Sequence, residues 1–222
     1  MSEEDDRISM AASAIADRRV LGVLDAYHVR IAEERRVRAA EPERMRAPGW
    51  RDTQLLTVGQ EVGQFLNLLA KSFTRPRILE IGTSYGYSGI WLAEAARATG
   101  GHLTTLELHD YKAAYARDMA MRAGLEAHVD FLVGDAVALI EGLEGGFDLI
   151  LLDLWKDMYV PCLEAFYPRL NPGAVIVADN MIFPGGEEVA RYGRAVRAKP
   201  GISSMLLTMG QGIEISRYDP PA

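Results

Sequence analysis

The chain has 222 residues and only one cysteine, Cys162, so no disulfide can form within it. That scarcity predicts a reducing, cytoplasmic setting, and the start Met-Ser-Glu-Glu-Asp-Asp-Arg is acidic and polar, the opposite of a secretory leader. No apolar run approaches the roughly 18 residues that a membrane-spanning helix needs, so no membrane partner is expected. Positive charge is also short. Lys and Arg number 24 against 31 Asp and Glu, giving a formal net charge of −7 and a pI of about 5.2. Phosphate affinity comes from clustered Lys and Arg, so nucleic acid is a disfavoured partner. Two glycine signatures are missing as well. Neither the G-x-G-x-x-G spacing of dinucleotide sites nor the G-x-x-x-x-G-K-[ST] of phosphate loops occurs at the one glycine-rich turn, where Gly82 and Gly86 stand four apart.

What is present begins at that turn. Residues 78–81 form a short apolar β-run that includes Glu80, break into Gly82-Thr83-Ser84-Tyr85-Gly86, and open a helix at Ser88. Glycine lets the backbone approach a ligand closely, and a helix start offers unpaired N–H groups. Upstream, residues 8–40 have helical periodicity and residues 30–46 carry dense charge of both signs. The dense stretch reads as a solvated helix face, with a partner-binding or lid segment as the other reading. Residues 1–50 are thus expected to be an N-terminal helical extension, and 51–222 one α/β domain. A helix is predicted over 54–73, from the stripe Leu55, Val58, Val62, Phe65, Leu66, Leu69 and Phe73. Strands are then expected at 78–81, 102–107, 128–133, 147–152 and 174–178. Helices are expected at 88–98, from the cap Asp110 to Gly124, and at 136–143, 157–170 and 187–198. A hairpin at 203–209 and 213–217 should add an antiparallel edge. Near-continuous apolar strands alternating with helices imply a mostly parallel, doubly wound, Rossmann-like sheet of seven strands covered on both faces.

In such sheets ligands sit beyond the carboxyl ends of the strands. Each predicted strand end carries an acid: Glu80, Glu107, Asp135, Asp153 and Asp179. Glu107 follows the glycine turn at about the spacing that reaches ribose hydroxyls. Asp135 could accept from an adenine amino group or cap the helix that starts at Ala136. Asp153, Asp179 and Asn180 are hard oxygen ligands on neighbouring strand ends, a set suited to Mg²⁺. No histidine pairs nearby and Cys162 falls in a predicted helix, which argues against zinc. Lys156, three residues past Asp153, could act as a base beside a divalent cation. Trp155 could wall a flat apolar pocket, and Tyr159 reads as core packing.

Taken together these residues resemble the cation-dependent, S-adenosylmethionine-dependent O-methyltransferases, the catechol O-methyltransferases in particular. The likeness runs from about Leu55 to Tyr218. It is carried by Leu56-Thr57-Val58-Gly59, Leu79-Glu80-Ile81-Gly82 with Gly86-Tyr87-Ser88, Leu152-Asp153-Leu154-Trp155-Lys156-Asp157-Met158-Tyr159, Ala178-Asp179-Asn180 with Pro184-Gly185, and Gly212-Ile213-Glu214. The resemblance implies S-adenosylmethionine on Val58, Glu80, Gly82, Ser84, Ser88, Glu107, Leu108, Asp135, Ala136 and Asp153. It implies Mg²⁺ on Asp153, Asp179 and Asn180. A small vicinal aromatic diol would lie against Trp155, Lys156, Asn180 and Pro184, with Lys156 as base and Glu214 orienting the second hydroxyl. Bacterial relatives suggest a homodimer. The chain departs from the family at Leu154, where a histidine is usual, and at Ala136-Val137, which replace more polar adenine-site residues. It departs again at Gln54, where the catechol enzymes place a gatekeeper tryptophan; Trp50 is the aromatic that would take its place. The rival readings are a tRNA O-methyltransferase of the same fold, supported only by the Arg-rich 30–46 stretch, and a non-catalytic nucleoside-binding module.

Overall fold

The computed structural model describes residues 15–47 and 49–221; the predicted helical positions Ile8 and Ala12 and the breaker Pro48 lie outside them. The first helix, α1 (Arg18–Ala40), is capped by Asp17, whose carboxylate accepts from the Arg19 N–H at 2.8 Å. Its buried residues Val20, Val23, Leu24 and Tyr27 recur at helical spacing and join the same hydrophobic core as the helices that cover the sheet. Two short 3₁₀ turns, Pro42–Arg46 and Trp50–Thr53, lead to α2 (Gln60–Lys71). The helix expected from residue 54 starts late. Leu56 (φ 45°) and Gly59 (φ 85°) take left-handed backbone that no helix can include, so residues 54–59 form an irregular strap before α2.

The alternating units follow: β1 (Arg77–Ile81), α3 (Tyr87–Thr99), β2 (His102–Glu107), α4 (Asp110–Ala123), β3 (Val129–Val133), α5 (Ala136–Gly142), β4 (Phe147–Leu152), α6 (Tyr159–Phe166), β5 (Leu170–Ala178), α7 (Glu187–Arg197), β6 (Ile202–Leu207) and β7 (Ile213–Tyr218). The helix expected over 157–170 is shorter, because it is flanked by 3₁₀ turns and Pro168 sits in the second. Strand β5 correspondingly begins early and absorbs Pro172 and Gly173 at a register shift against β4. Asp110 is the first residue of α4 and not its cap, which is His109.

The seven strands lie in the order β3-β2-β1-β4-β5-β7-β6. The five strands β1–β5 pair in parallel. The terminal hairpin does not simply append an antiparallel edge. Strand β7 inserts antiparallel between β5 and β6, and β6, now the edge, runs in the same direction as β1–β5. Helices α1–α4 bury one core on the first face of the sheet, around Trp91, Leu149 and Val177. Helices α5–α7 bury a second core on the other, around Ile150, Phe166 and Tyr192. Register aligns the carboxyl ends: Ile81 pairs with both Leu106 and Leu152, and Leu152 pairs with Ala178. The residues that follow, Gly82, Glu107, Asp153 and Asp179, therefore share one rim.

Candidate active site

The glycine turn is held from within the chain at almost every step. Gly82 and Thr83 both donate to the Leu106 carbonyl at 3.0 Å, and Gly86 donates to the Thr83 carbonyl at 2.8 Å. Gly82 has φ 107°, and a Cβ there would stand 2.0 Å from the Asp153 carbonyl oxygen. Gly86 has φ 90°, and a Cβ there would stand 2.6 Å from the Ala116 Cβ on α4. Both glycines are thus required by the chain's own packing, whatever ligand approaches them. Ser84 is held at φ 47°, uncommon for a non-glycine residue. Its N–H donates to Glu107 Oε2 at 2.7 Å and its hydroxyl to the Leu55 carbonyl at 3.3 Å, while Glu107 Oε1 accepts from the His109 N–H at 3.0 Å. Glu107, expected at a ribose, thus also splints the turn. Helix α1 reaches the same turn: the buried Tyr27 hydroxyl donates to the Tyr85 carbonyl at 2.6 Å, and the Tyr85 hydroxyl donates to the Asp52 carbonyl at 2.8 Å.

Beneath the turn Glu80 is fully buried. One oxygen accepts from Thr105 Oγ1 at 2.6 Å, and the other, Oε1, has no partner among the described residues. Burial pushes this carboxyl up to about 7, against opposing hydrogen bonds from Ser88 and Thr105. Farther along the rim, Asp135 caps α5 by accepting from the Ala138 N–H at 2.9 Å, so the capping reading holds in the observed arrangement. Ala136 follows it, part-buried; Val58 is buried in the strap, and Leu108 stands exposed at the β2 end.

The second half of the rim holds Asp153, Lys156, Asp179 and Asn180. The backbone N–H of Asp153 donates to the Ile81 carbonyl at 3.0 Å and that of Asp179 to the Leu152 carbonyl at 3.1 Å, so both acids are placed by strand pairing. Lys156 Nζ donates to Asn180 Oδ1 at 2.6 Å and to the Tyr159 hydroxyl at 2.5 Å, and lies 3.4 Å from Asp153 Oδ1. Tyr159, assigned to the core by its sequence, is buried, yet its hydroxyl donates to the Asp179 carbonyl at 2.9 Å and so joins the cluster. Asp179 is buried; Oδ2 accepts from Asn180 Nδ2 at 3.2 Å and Oδ1 has no partner among the described residues. Burial, then the neighbouring Asp153 charge, pushes the Asp179 carboxyl up to about 7. Burial also raises Asp153, with Lys156 opposing. Among the described residues no cluster of three His, Cys, Asp or Glu side chains could hold a metal. This set is instead two carboxylates and an amide oxygen. Its orphaned Asp179 oxygen, and an ammonium lodged between the Asp153 and Asn180 oxygens, both fit a cation site.

Around this cluster the surface is apolar. Trp155, Ile182 and Phe183 are exposed, and a cis peptide precedes the exposed Pro184. One expectation is corrected. Glu214, expected to orient a substrate hydroxyl, is fully buried within the sheet; Arg197 binds both its oxygens at 2.8 and 2.6 Å, and Ser204 donates to it. Strand β7 lies inside the sheet, so this side chain faces α7 and not the rim. Trp50 and Gln54 line the same cavity. The Arg38 guanidinium lies 5.3 Å from the Trp50 ring centre, and the cavity, of about 510 Å³, is also lined by Val29, Arg30 and Glu34. The residue missed by sequence is Gln211, in the β6–β7 turn, whose Oε1 accepts from Asn180 Nδ2 at 3.0 Å. Its only sequence signal is its place between Gly210 and Gly212.

Residues 79–181 match the family described as Methyltransferase domain. The chain is 39% identical over 179 residues to a catechol O-methyltransferase of Niastella koreensis, covering 74% of this chain and 79% of that one. It is 40% identical over 132 residues to a catechol O-methyltransferase of Mycobacterium tuberculosis, where the match spans 59% of this chain and 60% of the relative. Among solved structures, an O-methyltransferase from Bacillus cereus in complex with SAH superposes with a TM-score of 0.74 at 25% identity, over 97% of each chain.

Proposed function

This chain belongs to the S-adenosylmethionine-dependent O-methyltransferases of the catechol type, and on that premise we propose that it methylates a hydroxyl of a vicinal aromatic diol with the help of Mg²⁺. The observation that carries the proposal is the seating of the Lys156 ammonium between the Asp153 and Asn180 oxygens, beside the unpartnered Asp179 oxygen. Asp153, Asp179 and Asn180 would hold the cation. Glu107 would accept from the ribose hydroxyls of the methyl donor, with Asp135 and Ala136 at its adenine. Val58, Glu80, Gly82, Ser84, Ser88, Leu108 and Asp153 would line the rest of that ligand.

When bound, the cation lowers the pKa of an acceptor hydroxyl and S-adenosylmethionine supplies the methyl group. The chain's own residues do the remainder. Lys156 Nζ, within reach of the Asp153 and Asn180 oxygens, would act as a neutral amine and take the proton from the acceptor hydroxyl, becoming the ammonium. Trp155 and Pro184 wall a flat ring and exclude water from it. The aligned strand ends hold donor and acceptor groups in one frame, which replaces a bimolecular encounter with a fixed geometry. The acidic rim favours a cationic sulfonium over an anionic ligand.

RNA as the acceptor is the weaker reading. Arg30 pairs with Glu34, Arg36 with Glu33 and Arg44 with Glu41, which occupies cationic groups that a phosphate backbone would need. The test is incubation with S-adenosylmethionine, Mg²⁺ and a panel of catechols, following S-adenosylhomocysteine. Turnover that EDTA abolishes is expected. No turnover on any vicinal diol, or turnover indifferent to EDTA, overturns the proposal.

A further inference from the structure

Asn180 can serve a cation through only one end of its amide, and something must decide which end faces the site. Its backbone sits at φ 56°, a conformation that Asn tolerates better than most residues but that its surroundings must enforce. Its side chain points Oδ1 at Lys156 Nζ, 2.6 Å away, and Nδ2 at Gln211 Oε1, 3.0 Å away, with a second, longer contact from Nδ2 to Asp179 Oδ2 at 3.2 Å. An amide turned end for end would present N–H groups to the cation, which they cannot coordinate.

We propose that Gln211 is a positioning residue that locks the amide of Asn180 with its oxygen towards the cation site. The β6–β7 turn that carries it is itself fixed. The Gln211 carbonyl accepts from the Ile182 and Phe183 N–H groups at 3.0 and 2.9 Å, and the Gly212 carbonyl from the Met181 N–H at 2.9 Å. Gly212 has φ 90°, and a Cβ there would stand 2.4 Å from Ile182 Cγ1. The segment after Asn180 and the turn that bears Gln211 are therefore zipped together, and the Gln211 side chain gives Nδ2 a shorter acceptor than Asp179 does, reinforcing the orientation that Lys156 sets at Oδ1. Groups that orient a metal ligand in this way commonly change affinity by about 10- to 100-fold when removed.

The inference rests on the cation reading proposed above, and Mn²⁺ binding to the full chain, followed by electron paramagnetic resonance without any turnover, separates the two. The unaltered chain should bind Mn²⁺. Gln211→Met, which keeps length but loses the acceptor, should weaken Mn²⁺ binding by about tenfold. Gln211→Glu, which restores an acceptor, should recover affinity to at least the starting value. S-adenosylmethionine affinity, measured by calorimetry, should be the same in all three proteins, which excludes general misfolding. Equal Mn²⁺ affinity in the Met variant and the unaltered chain, or a Glu variant as weak as the Met variant, overturns the assignment of Gln211 alone. No Mn²⁺ binding by the unaltered chain overturns the cation reading and this assignment with it.

Discussion

The two halves of the rim are built on opposite principles. In the glycine turn the conformation is over-determined by the chain: Gly82 is forced by a carbonyl of the next strand loop, Gly86 by α4, Ser84 by Glu107, and Tyr85 by Tyr27 of α1. At the ends of β4 and β5 the conformation is under-satisfied. Burial raises the proton affinity of both Asp153 and Asp179, the Asp153 charge raises Asp179 further, Asp179 Oδ1 has no partner among the described residues, and a lysine is drawn between ligand-type oxygens. A preformed cradle costs little reorganisation when a ligand enters. A cluster of unpaired buried oxygens is stable only with a counter-charge, so it selects for one.

The contrast can be broken at several points. The largest effect is expected at Asp179→Ala, which should reduce turnover to background while leaving S-adenosylmethionine affinity, read by calorimetry, nearly unchanged; loss of both together would mean that the halves are not separate. Next, Lys156→Met should lower kcat by roughly 10²- to 10⁴-fold, the usual range for a lost proton acceptor. Because it removes a positive group from between the ligand oxygens, Mn²⁺ binding should persist or tighten. Weaker Mn²⁺ binding would show that the lysine supports the cation site and does not compete for it.

Glu80 tests the cradle from below. Its carboxyl is held at about 7 against an ordinary value of 4.5. Between those values the folded chain keeps a proton that the unfolded chain has released, so stability falls as pH rises from about 4.5 to about 7 and then levels off. Glu80→Gln should remove its share of that fall, on the order of 3 kcal/mol across the window in metal-free protein. Asp179, raised to about 7 by the same cause, has the same sign and should leave part of the slope in place. Urea unfolding at pH 5 and pH 8 measures this, and an unchanged slope in the Gln variant would show that Glu80 ionises freely in the fold. The smallest effect is expected at Tyr27→Phe. It removes one hydrogen bond to the Tyr85 carbonyl, worth about 1 kcal/mol, and should weaken S-adenosylmethionine binding about fivefold with kcat unchanged. A lower melting temperature with unaltered affinity would make α1 a structural brace only.

Much of this rim could be read from residue order, because strand ends in an alternating α/β chain must share an edge. Glu107 ends β2, Asp153 follows β4 and the pair Asp179-Asn180 follows β5, and parallel register does the rest. Residues whose role depends on which face of which strand they occupy were harder. Glu214 was misassigned because its position is set by insertion of β7 between β5 and β6, a pairing of residues distant in sequence. Gln211 and the hydroxyl of Tyr159 were missed for the same reason: their partners lie 31 and 20 positions away.

Local pattern, then, decided the alternation of strands and helices, the glycine turn, the acids at the strand ends and the class of ligand they could take, since each depends on neighbouring residues and on period. Tertiary structure alone decided that the glycines serve the chain's own packing, that α1 splints the turn through Tyr27, that Glu214 is sealed beneath Arg197, and which end of the Asn180 amide faces the site. Those outcomes depend on contacts between distant segments, whose geometry no periodicity encodes.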